Sequence, residues 1–99
     1  MPEGEALTLA RFEPLVGSRF ILWLDDSARL QAELIEARAG RGGAPDGRQP
    51  FSLTFAAPPE PALPQSIYRL EHPQLEAMDI FLVPVAKSAK GLHYEAVFG

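Results

Sequence analysis

Histidine, carboxylate and serine side chains are the groups in this chain that could do chemistry, and their spacing decides how far each goes. His72 and His93 are the only histidines. With Glu71 and Glu95 close by in sequence, they would converge on a metal if the strands carrying them were neighbours. Two imidazoles and a carboxylate suffice for a non-haem iron or a catalytic zinc. No HxH, HExxH or HxD spacing supports that arrangement. The plainer reading has His72 ending a strand before Pro73 and His93 exposed on a hairpin. Asp25 and Asp26 are adjacent carboxylates, but neighbouring side chains in a turn point different ways. With Ser27 they read as turn formers. Ser52, Ser66 and Ser88 lack the GxSxG elbow that activates a serine nucleophile. GRGG at 40–43 is not followed by the Lys-Ser/Thr and helix of a phosphate loop. No catalytic residue, metal site or cofactor is therefore expected, and the chain reads as a non-enzyme.

Composition narrows the partners. With 99 residues the chain is expected to form one domain over residues 7–99, after a frayed end at residues 1–6. A hydrophobic share of 46% is that of a globular protein rather than a disordered one. The net charge of -4, with basic side chains scattered and not in runs, makes nucleic acid a poor partner. The absence of cysteine excludes disulfides, thiolate nucleophiles and zinc–thiolate sites. The N-terminal MPEGEALTLARFEPL has no basic segment leading into an apolar one, and no apolar run approaches the ~20 residues of a membrane span. A cytoplasmic protein without membrane contact is the expectation.

The elements that must position these side chains are mostly strands. Leu7, Ala10 and Phe12 suggest a short helix or turn, with Thr8 at its N-cap and Pro14 limiting it, so that Phe12 and Leu15 plug one end of the core. Ser18–Leu24 is the first strand, apolar on both faces. Arg29–Arg38 favours helix on propensity, yet Leu30, Ala32 and Leu34 alternate with Gln31 and Glu33. It is read as the second arm of a hairpin; a helix there would make the fold α+β. Gly40–Arg48 is a loop, Phe51–Phe55 the third strand, and APPEPALPQ a stiff proline-rich crossover. Ile67–Glu71 is the fourth strand, stopped by His72-Pro73, and Gln74–Met78 a short turn. Asp79–Val85 and Leu92–Phe98 are the fifth and sixth, with Gly91 suited to a positive-φ position between them. Pro84 lacks an N–H, so the fifth strand is either a sheet edge or bulged there. No repeat recurs at a fixed period. Together these segments predict a mainly β fold, a small antiparallel six-stranded barrel or roll with a short N-terminal helix or turn.

PFSLTF, LPQSIYRLEHPQL, IFLVPV and YEAVF, preceded by FEPLVGSRF, make the chain resemble a family of short uncharacterised bacterial proteins that carry a domain of unknown function. The resemblance covers nearly the whole chain except Gly40–Arg48. It carries over no catalytic residue. It implies an accessory or assembly role beside phage-tail-like or surface structures.

The apolar content exceeds what one small core uses. Phe20–Leu24 and Ile80–Val85 are continuously apolar, and a domain of this size buries few strands on both faces. The expected function is a protein-interaction or assembly module that binds a protein partner or forms a homo-oligomer through Trp23, Ile80, Phe81, Val83 and Val85. The opposing reading has the segment around Phe12 and Leu15 covering that surface. One rival function is a small-molecule-binding barrel with Trp23, Tyr68 and Tyr94 at its mouth. A second is a single-stranded nucleic-acid-binding barrel using exposed aromatics beside arginine, such as Tyr68-Arg69.

Overall fold

The computed structural model describes residues 8–41 and 49–98. Residues 1–6, expected to fray, and most of the Gly40–Arg48 loop lie outside that range. The described chain forms six strands: β1 (Arg19–Trp23), β2 (Arg29–Ala39), β3 (Phe51–Ala57), β4 (Ser66–His72), β5 (Leu75–Ser88) and β6 (Gly91–Phe98). All pairs are antiparallel, and the order β1-β2-β3-β6-β5-β4 closes into a barrel.

The ambiguous segment at Arg29–Arg38 is strand. Phe20 stands opposite Ala32 and Leu22 opposite Leu30, so the apolar alternation of β2 meets that of β1 on the inner face. Burying that row outweighs the modest helix propensity of Ala, Leu and Glu. The turn between β1 and β2 is held by the Asp25 carboxylate, which accepts the backbone N–H groups of Ser27 and Ala28 at 2.8 and 2.7 Å. Those donors, Ser27 first, keep the Asp25 carboxyl below its ordinary value.

Two expectations about β5 need correction. The strand begins at Leu75, absorbing most of the segment expected to be a turn, because only Pro73 and Gln74 are needed to reverse the chain after His72. Up to Leu82 it is also not a sheet edge, since β4 flanks it there and the barrel is closed. The bulge that Pro84 suggested is present: the register against β6 shifts between Pro84 and Ala86.

Both barrel ends are plugged. At one end α1 (Leu9–Phe12) and a 3-10 turn (Glu13–Leu15) bring Phe12 and Leu15 into the core. Phe12 packs on Phe51 and Phe98, whose rings stack at 4.6 Å. Thr8 is the N-cap position but makes no side-chain cap bond. At the other end the proline-rich crossover buries Leu63, whose N–H donates to the Tyr94 hydroxyl at 2.9 Å. The Tyr68 hydroxyl donates to the Pro64 carbonyl at 2.6 Å. Gly91 has φ +119, as the sequence suggested.

The registers reveal an internal symmetry that the sequence does not display. β1–β3 and β4–β6 are equivalent three-stranded meanders. The bulge of β2 at Leu34/Glu36 recurs 50 residues later at Pro84/Ala86 of β5. The pairs Trp23–Arg69 and Phe55–Tyr94 each join equivalent positions of the two halves, so a pseudo-two-fold axis passes through both.

Candidate functional site

Of the five large exposed apolar side chains among the described residues, Ile67, Phe81 and Val85 lie on β4 and β5, Val97 on β6 and Val16 just before β1. Alternation puts Ile67, Arg69 and Glu71 outside on β4, with Tyr68, Leu70 and His72 inside. Ile67 stands opposite Phe81, and the two are 65% and 51% exposed. One row along, Arg69 lies between Trp23 of β1 and Asp79 of β5. Beside this pair a groove of about 380 Å³ is lined by Trp23, Leu24, Asp25, Asp26, Ile67, Arg69 and Glu71. The Arg29 guanidinium lies over the Trp23 ring, 5.3 Å from its centroid. The Trp23 indole N–H is the one buried side-chain polar atom among the described residues without a hydrogen-bond partner. Leaving such a donor unsatisfied costs about 1–3 kcal/mol.

Of the residues expected to make contacts, Trp23, Phe81 and Val85 stand on the outside, Val85 at 49% exposure. Val83 is half-buried opposite Glu95. Ile80 faces inward and is core, because strand alternation places it one step out of phase with Phe81. Ile67 was missed, although its alternation with Tyr68 could have marked one of the two as outward. α1 and the 3-10 turn pack on β2, away from this face, so they do not cover it as the opposing reading required.

Tyr68 and Tyr94 do not line a mouth. Both are buried, and their hydroxyls anchor the crossover that plugs the barrel. Burial, with the nearby Tyr94 second, pushes the Tyr68 phenol up from its ordinary value. The pairing of an exposed Tyr68 with Arg69 for base stacking is likewise overturned, since Tyr68 points inside.

The two histidines are kept apart, because β5 lies between β4 and β6. Among the described residues no group of three or more His, Asp or Glu side chains could hold a metal. His72 ends β4 before Pro73, as expected, and is also a buried tether. Its Nδ1 accepts the Gln74 N–H at 3.1 Å, which places the proton of the neutral ring on Nε2. Nε2 then donates to Ser18 Oγ at 3.1 Å, and Ser18 Oγ donates to the Leu15 carbonyl at 2.6 Å. Burial lowers the His72 pKa, in keeping with a neutral ring. His93 is half-buried on the outer face, 2.8 Å from Ser88 Oγ.

No helix among the described residues is long and apolar enough to cross a membrane. Fold and surface together define a small closed antiparallel β-barrel with a filled interior and an exposed apolar pair, Ile67 and Phe81, on its outer face. The family model for Domain of unknown function (DUF6916) matches residues 7–98, and the chain belongs to that family. No curated protein and no solved structure matches it.

Proposed function

We propose that this barrel is a non-enzymatic interaction module that docks a protein partner on the outer face of β1, β4 and β5, serving an accessory or assembly role. The exposed Ile67–Phe81 pair carries this reading. Two large apolar side chains facing each other across a ladder bury surface at no backbone cost when another protein covers them. The adjoining Trp23 groove extends the surface, and Arg69 and Asp79 border the apolar pair with both signs of charge. An acceptor from the partner, reached by a small shift of the indole, would satisfy the Trp23 N–H. Attachment to a larger bacterial assembly, such as a phage-tail-like or surface structure, is the setting that the sequence motifs suggest.

Native mass spectrometry of tagged protein isolated gently from its host lysate tests this, in parallel with Phe81→Glu and Ile67→Glu. A defined complex that both substitutions dissolve, with unchanged circular dichroism, is the expected result. A bare monomer would remove the proposal. A monomer carrying a small retained mass would replace it with ligand binding.

A further inference from the structure

We infer that the last third of β5 is a strand-addition site for an extended acidic segment of a partner protein. This goes beyond the Ile67–Phe81 face and does not depend on it. β5 changes partners along its length. It pairs with β4 from Leu75 to Leu82, and with β6 from Val83 to Ser88. Among the described residues, no strand lies on the β4 side past Leu82. Pro84 to Ser88 are all exposed, and among the described residues no other backbone hydrogen bond reaches this segment.

The pseudo-symmetric half shows what such an edge requires. β2 also changes partners, from β1 to β3, at its own bulge. There the edge is closed: Gly17 N–H donates to the Leu34 carbonyl at 2.7 Å, and Leu34 N–H donates to the Ser18 carbonyl at 3.1 Å. α1 and the 3-10 turn then pack on β2, leaving Ile35 to Ala37 half-buried. In the second half Pro84 replaces Leu34 and has no N–H to give. The position equivalent to Ser18 is Pro64, whose carbonyl is taken by the Tyr68 hydroxyl. The closing contacts of the first half are thus missing here, and Val85 to Ser88 keep an open edge.

The chemistry of that edge selects its occupant. Free backbone donors and acceptors in a row demand an extended chain. Val85 offers an apolar contact and Lys87 a cation beside it, while Lys90 is engaged by Glu33 at 3.5 Å. No acidic residue occurs between Val83 and Leu92, in a protein whose net charge is -4. An acidic, partly apolar strand complements this edge.

The test titrates labelled protein with a six-residue blocked peptide alternating valine and glutamate, followed by amide NMR, with a valine–lysine peptide as control. Shifts confined to Val85–Ser88 and the β6 residues opposite are expected, weakening with salt. Lys87→Glu should lower the affinity at least tenfold, and Phe81→Glu should leave it unchanged. Silent edge amides, equal binding of the lysine peptide, or shifts at Trp23 and Ile67 alone would overturn the inference without touching the apolar-face proposal. Edge shifts that grow with protein concentration in the absence of peptide would assign the edge to a second copy instead.

Discussion

Gly91 and Ala57 meet so closely that a Cβ built on Gly91 would overlap the Ala57 carbonyl oxygen. Gly91 opens β6 at φ +119, next to the Ala57–Leu92 pair that ends the β3–β6 ladder. Only glycine satisfies both demands. Gly91→Ala is expected to cost about 2–4 kcal/mol, combining a forbidden backbone region with displacement of a buried strand end. Gly17→Ala is the control: it shares a positive φ of 94 but has nothing within 4 Å of the added Cβ. It should cost about 1–2 kcal/mol. Urea unfolding midpoints of the two variants measure the difference, and equal losses would show that the Ala57 contact gives way.

The neighbours Ile80 and Phe81 should behave oppositely. Ile80→Ala empties a core position that is 4% exposed and should destabilise by about 2–4 kcal/mol. Phe81→Ala, on the outer face, should change stability by less than about 1 kcal/mol. Thermal unfolding of both checks the assignment of faces. A Phe81 variant as damaged as the Ile80 one would place Phe81 in the core.

His72 should make stability depend on pH. Its folded pKa lies below the ordinary 6.5 because burial disfavours the charged ring. The unfolded chain therefore binds more protons just below 6.5, and stability rises with pH there. The contribution is fully present above about 6.5 and is lost as pH falls toward the folded pKa. Protonation also puts a donor on Nδ1, against the Gln74 N–H. Denaturation curves between pH 7.5 and 5 should show a loss in the wild type that His72→Gln lacks. Parallel curves would assign the loss to other groups.

Tyr94→Phe removes the hydroxyl that accepts the Leu63 N–H. The buried amide is left without a partner, at a cost of about 1–3 kcal/mol. Hydrogen exchange at Leu63 should accelerate before exchange in the barrel strands does. A Leu63 amide that stays protected would mean that packing alone seats the crossover.

The inner faces were legible because alternation is a local property. Phe51, Leu53 and Phe55 announce a half-buried strand wherever it lies in the fold, and the same holds for Ala32 and Leu34, which alternate with Gln31 and Glu33. The plugging role of Phe12 and Leu15 was visible too, since Pro14 limits the helix and leaves two large apolar residues at its end. The apolar run at Ile80–Val85 was harder. A run without polar residues conceals its phase, so Ile80 could not be told from Phe81 until the Tyr68–Ile80 and Ile67–Phe81 pairs fixed it.

His72 shows the other limit. Its neighbours in sequence, Glu71 and Pro73, gave no sign of a buried tether, because its partner Ser18 is 54 residues away. The approach of β4 to β1 exists only once the barrel closes.

Composition, alternation and turn residues by themselves determined a cysteine-free, mainly β chain of six strands and its positive-φ glycine. These are nearest-neighbour properties, set by side-chain period and backbone sterics. Tertiary structure alone decided the closure of the sheet, the phase of β5, the pairing of Ile67 with Phe81 and the open edge past Leu82. Each of these depends on register between strands distant in the chain, which no local pattern encodes when both faces of a strand are apolar.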